Sequence, residues 1–133
     1  MANTPNVYEQ QFEYDDTDPA GYRAGVTRIG ATAGGKDLVI KEFEIPPGET
    51  VCPYHYEYKE EWLLLVSGTL ELRDPDGRHP LRAGDLVRFP LGPDGAHQVT
   101  NNGHHTDTHN AGRTSTVTGG TRPLTTMARA PRW

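Results

Sequence analysis

Two imidazoles and two carboxylates lie in two short stretches of this chain where one divalent ion could gather them. The first stretch runs His55-Tyr56-Glu57-Tyr58-Lys59-Glu60-Glu61 and closes at Gly68; the second runs from Gly84 through Pro90 and Gly92 to His97 and Asn101. Read as a strand, the first puts His55 and Glu57 on one face, and Glu61 approaches from the same strand or an adjoining one. His97 arrives from a third segment. Nitrogen and oxygen donors of this kind suit Fe, Mn, Ni or Zn, and His55, His97 and Glu61 alone make a two-His, one-carboxylate set.

The neighbouring residues read more plainly. Cys52 is the single cysteine, so no intramolecular disulfide and no cysteine-based zinc site can form, and an unpaired cysteine is more often a small buried hydrophobe than a reactive thiol. Alternation puts Tyr54, Tyr56 and Tyr58 on the face opposite His55, where they and Trp62 are expected to pack across strands. Glu60 reaches the site only if its strand bulges. His104, His105 and His109 lie in a polar tract and read as solvated, as do Asp15, Asp16 and Asp18 in an acidic turn.

Short strands must position the four. Residues 37–45 are rich in β-branched and apolar side chains and stop at Pro46-Pro47-Gly48, which predicts a strand and a break. Residues 51–58 are expected to form the ligand-bearing strand. Residues 61–66, Glu-Trp-Leu-Leu-Leu-Val, are too apolar for one wet face and predict a strand buried on both sides. Residues 69–73 alternate at period two into Asp74-Pro75-Asp76-Gly77, the clearest hairpin signal. A short segment from Leu81 turns at Gly84-Asp85, a strand over 86–89 ends at Pro90, and a Gly-Pro-Asp-Gly loop delivers His97. Short strands at this spacing, with no amphipathic helix, predict an all-β barrel or sandwich.

The chain has 133 residues, enough for one domain and one core. Its 15 Gly and 11 Pro fit many turns, and the mean hydropathy of -0.71 is compatible with a globular fold once glycine is counted with the apolar residues. A formal charge of -5 with no Lys/Arg run argues against nucleic acid and anionic membrane as partners. The N-terminus lacks a basic start and apolar run, and no window nears a membrane span, so a cytoplasmic protein is expected.

The two stretches resemble the paired motifs of the cupin superfamily. Gly48, His55, Glu61 and Gly68 stand where the first motif has its Gly, first His, Glu and Gly, with one extra residue after Gly48. Gly84, Pro90, Gly92, His97 and Asn101 answer the second, with two extra residues before His97. Over residues 22–102 the sequence is similar to small single-domain bacterial cupins, and the resemblance implies a double-stranded β-helix, the RmlC-like jelly-roll barrel, preceded by an arm at 1–21. It implies metal ligands at His55, Glu61 and His97. Where the family has its second His this chain has Glu57, which reads as a fourth ligand favouring Mn or Fe, as a general base, or as a carboxylate paired with a cation such as a facing arginine.

The resemblance also implies an apolar strand after the second motif, and residues 103–133 have none. They read as an atypical polar tail that leaves a sheet edge exposed. Codons for 103–112 read one nucleotide later permit Ala-Thr-Thr-Pro-Thr-Arg-Ile-Met-Leu-Val, a strand of the missing kind. Three readings remain open: a metal-dependent enzyme acting on a small polar metabolite such as a sugar or organic acid, a non-catalytic small-molecule binding or sensing module, or a chain that with this tail folds poorly and has no activity of its own. A homodimer is the association the resemblance implies.

Overall fold

A computed structural model describes residues 3–103 and 112–119. The proline pair at 46–47 and the glycine turns divide the chain into short strands that stack as two sheets. β1 (Gly25–Thr27), β2 (Leu38–Ile45), β3 (Glu61–Ser67), β6 (Leu86–Phe89) and β8 (Gly112–Gly119) form one sheet in the order β1-β2-β8-β3-β6, and β4 (Thr69–Asp74), β5 (Gly77–Arg82) and β7 (Gln98–Thr100) form the other in the order β5-β4-β7. All strand pairs are antiparallel. The one α-helix among the described residues, α1 (Ile29–Thr32), lies against β2, with Gly30 close on Ile40. This is the jelly-roll barrel that the two motifs lead one to expect.

Ile45, Leu63, Leu65, Leu70, Leu72, Leu81, Phe89 and Val99 make the core between the sheets. Each comes from the inward parity of its strand, the period-two consequence of pleating. β3 differs from expectation, because Leu63 and Leu65 are buried while Leu64 faces solvent beside Leu86, its register partner on β6. Its apolar run is therefore buried on one face, and the outer face holds exposed leucines.

β8 is the larger correction. The sequence predicts no strand after Asn102, yet Gly112–Gly119 fills the centre of the five-stranded sheet, pairing with β2 along its whole length and with β3 on the other side. No sheet edge is left open there, and the sequence as written supplies the strand. Its polar residues enter through backbone pairing, which any side chain permits. Gly112 sits where a Cβ would come within 2.5 Å of Leu70 of the opposite sheet, so its missing side chain lets the two layers close. The remainder of the tail, with His104, His105 and His109, lies outside the described residues.

The N-terminal arm is fastened to the outer face of β2. Glu13 bridges to Val26, the Tyr14 hydroxyl donates to Glu44 at 2.6 Å, and Arg113 reaches Glu44 at 3.2 Å while lying over the Phe12 ring. Asp15 accepts from the Thr17 amide and hydroxyl, which makes the acidic stretch a local turn.

Glu42 shares β2 with these groups and is wholly buried, with neither carboxylate oxygen hydrogen-bonded among the described residues. Loss of hydration pushes its pKa up to about 7, an effect that Arg113 opposes and Glu44 reinforces. The folded chain thus holds this proton more tightly than the unfolded chain does. Its contribution to stability is complete below the ordinary carboxylate pKa of 4.5 and is lost as pH rises through 7. The loss amounts to about 2 to 3 kcal/mol. Urea denaturation at about pH 5 and about pH 8 should show the wild type losing that much more stability than Glu42→Gln; parallel losses would exclude Glu42 as the source.

Candidate functional site

The segment between β2 and β3 carries His55 and Glu57, and backbone hydrogen bonds zip it to the segment that carries His97. Gly48 N–H donates to Asn101 O, Asn101 N–H to Glu49 O, Val51 N–H to Val99 O, and Gly92 N–H to Glu57 O. In the middle His55 and His97 form a reciprocal bridge, with N···O distances of 3.2 and 2.8 Å. The expected strand over 51–58 is therefore an irregular ribbon, interrupted where Pro53 has no N–H to give. Gly92, at φ 80°, occupies the left-handed region that lets the chain double back to Glu57 before the turn to His97.

His55, Glu61 and His97 are buried and Glu57 nearly so, all lining one cavity of about 250 Å³. The remaining walls are Val39, Phe43, Val51, Leu63 and Val99, with Lys41, Cys52 and Thr114 as polar members. The ribbon keeps His55 and Glu57 on one side, as a strand would have done. Tyr54, Tyr56, Tyr58 and Trp62 do not line the cavity: Tyr54 lies under Arg73, Tyr56 meets Tyr58 edge to face, and Trp62 donates to Glu60. Glu60 pairs with Arg88 at 2.8 Å, away from the site.

Each histidine is oriented by a backbone carbonyl. His55 Nδ1 lies 2.9 Å from Pro53 O, with Cys52 Sγ at 3.3 Å, and His97 Nδ1 lies 2.8 Å from Gly95 O. A carbonyl only accepts, so both Nδ1 atoms carry the proton and both Nε2 atoms face the carboxylates. His55 Nε2 is 3.9 Å from Glu57, and His97 Nε2 is 2.9 Å from Glu61. Phe89 stacks on His97 with centroids 3.5 Å apart and planes 10° from parallel, fixing the ring.

The two carboxyls are hydrogen-bonded to each other and differ in character. Burial, then the charge and hydrogen bond of Glu61, push Glu57 up to about 7. Burial alone would raise Glu61 too, but its hydrogen bond to His97, the His97 charge, its bond to Glu57 and the charge of His55 outweigh it and hold Glu61 low. As pH falls through about 7 the first proton settles on Glu57 while Glu61 stays ionised. The partner of Glu57 is thus a second carboxyl, with Lys41 contributing a favourable charge, in place of the arginine considered from sequence. Lys41 is the site residue that sequence reasoning missed; its inward position on β2, two residues from Phe43, was the available signal.

The donor set suits a divalent ion in kind. Carbonyl-held Nδ1–H groups leave Nε2 as the donor atom on both rings, the orienting arrangement metal-binding histidines require. As they stand the side chains are paired with one another, and among the described residues no three His, Cys, Asp or Glu converge as a metal-holding group.

A two-sheet barrel with two oriented histidines and a glutamate at its mouth defines the cupin class. The Cupin_2 family, described as a cupin domain, matches residues 41–109, and the chain belongs to it. Protein SchB of Streptomyces halstedii is 30% identical over 97 residues, 68% of this chain and 66% of that relative, just under two thirds of its length. Two solved structures share the fold at low identity. A sugar phosphate isomerase of the cupin superfamily from Silicibacter pomeroyi matches with a TM-score of 0.72 at 22% identity, covering 88% of this chain and 75% of its own. The polyketide cyclase RemF from Streptomyces resistomycificus matches with a TM-score of 0.72 at 17% identity, covering 97% and 85%. Among the described residues no helix is long and apolar enough to cross a membrane.

Asn101 holds the base of the ribbon, its side-chain amide donating to Ile45 O at 2.9 Å from a buried position. Asn101→Ala orphans that carbonyl and should cost about 1 to 3 kcal/mol in urea denaturation. An unchanged midpoint would show that the ribbon does not depend on this contact.

Proposed function

We propose that this chain is a small-molecule enzyme that moves a proton at an oxygen, or at the carbon beside it, of a mostly apolar substrate. The observation that carries the reading is the ordered set Glu57–Glu61–His97 at the polar end of an apolar cavity, with a proton on Glu57 and a charge on Glu61. Unequal carboxyls in contact are the arrangement from which one acts as acid and the other as base. Glu57 gives its proton to a substrate oxygen while the ionised Glu61 takes one from the carbon beside it, so the pair keeps a single negative charge, and the hydrogen bonds from Glu61 to Glu57 and His97 Nε2 carry the proton back. The apolar walls keep water from competing.

A divalent ion, Mn, Fe, Ni or Zn, would be held by His55, Glu61 and His97, with Glu57 as fourth ligand or base. When bound it supplies Lewis-acid polarisation of a substrate oxygen. For the substrate, a sugar phosphate would call for several cationic contacts, and among the described lining residues Lys41 is the one Lys or Arg. Apolar walls suit better a carbon skeleton bearing a few keto or hydroxyl oxygens, the substrate type that the name of RemF suggests for that protein.

A second reading is a binding or sensing module. It is favoured by the pairing of the four donors with each other rather than around one point.

Elemental analysis of protein purified without added metal, together with turnover of keto- and hydroxy-substituted aromatics, separates the two. On the enzyme reading Glu57→Gln lowers kcat by about 100-fold or more. His97→Ala lowers any bound metal as well as activity. Specific binding with no turnover and no metal would select the binding module.

A further inference from the structure

We propose that Thr114 is a second docking point for the ligand, an oxygen-specific contact at the deep end of the cavity. The proposal rests on reading that cavity as a small-molecule site. Thr114 is wholly buried and lines the same cavity as His55, Glu57, Glu61 and His97. Its hydroxyl has no hydrogen-bond partner among the described residues. A buried hydroxyl without a partner is costly, and in the centre of a sheet it stands where an apolar residue would pack at no such penalty.

Register fixes where this hydroxyl stands. Glu61 pairs with Thr118, Leu63 with Thr116 and Leu65 with Thr114, so Thr114 lies two rungs inward from the acidic end. Four residues of strand, about 13 Å, separate those rungs along the backbone. Phe43, its partner on β2, stands at the same rung, and Leu63, Val99 and Lys41, which register places opposite Thr116 at the middle rung, line the space between. The cavity thus has acid–base groups at one end, mostly apolar walls with Lys41 midway along its length, and the unanswered Thr114 hydroxyl at the other.

That pattern selects a ligand class. A hydroxyl both donates and accepts, so it answers a carbonyl, phenol or alcohol oxygen equally. A cavity of about 250 Å³ holds the volume of about eight waters, the size of a fused aromatic bicycle. The ligand is therefore a flat apolar scaffold with oxygens at opposite ends, one at Glu57 and one at Thr114.

The test compares 2,6-dihydroxynaphthalene with 2-naphthol by calorimetric titration of the whole chain. In wild type the diol binds about tenfold tighter than the mono-ol, the worth of one hydrogen bond to a group otherwise left unpaired. In Thr114→Val the ratio falls to about one while 2-naphthol affinity is kept, and Thr114→Ser restores the preference. A tenfold ratio persisting in Thr114→Val overturns the proposal. A ratio of one in wild type, with 2-naphthol still bound, overturns this contact and leaves the cavity reading intact; failure of wild type to bind either compound overturns both.

Discussion

The reciprocal backbone bridge between His55 and His97 is the constraint on which this molecule turns. It joins a loop that leaves the five-stranded sheet to a segment entering the three-stranded sheet, and it holds the two imidazole centroids 5.0 Å apart. Pro53 interrupts the ladder between the bridge and its base, which Gly48 and Asn101 close. Neither histidine relies on its own strand for position. Both are set by a pairing that exists only after the sheets have come together, so site formation is tied to closure of the barrel.

The motif positions were legible because they are turn chemistry. Gly48, Gly84, Gly92 and Asn101 each fix where a ribbon reverses or is pinned, and those demands are local enough to read from sequence even where residues are inserted between them. Strands with strong alternation, such as β4, were legible for the same reason. β8 was not, because its Thr, Ser, Arg and Gly residues give no apolar period and its place is set by the two neighbours that hydrogen-bond to it. Leu64 misled in the opposite direction: an apolar residue suggests burial, but only the fold decides which face of β3 is covered. The identity of the partner of Glu57 was likewise a tertiary matter, settled by Glu61 turning inward from the next strand.

Charge is distributed across β2 in a way that separates site from scaffold. Lys41 faces the cavity, where it favours the ionised carboxyls, while Glu42 on the opposite parity is buried with neither carboxylate oxygen hydrogen-bonded among the described residues. Adjacent residues of one strand thus meet two environments, one able to stabilise charge and one that suppresses it. The two raised carboxyls, Glu42 and Glu57, share a cause in lost hydration but differ in company. Glu57 has a network to exchange protons with, and Glu42 has none among the described residues.

The stacking of Phe89 on His97 has a stereochemical consequence. With one face of the imidazole covered at 3.5 Å, its Nδ1 edge tied to Gly95 and its Nε2 edge on Glu61, the ring is approached from the side away from Phe89. Whatever lies in the cavity meets Nε2 and Glu61 from a single side. On the proton-transfer reading proposed above, a flat carbon taking a proton from this cluster would receive it on one face only, and the handedness of the product would follow from which way an aromatic ring on β6 leans.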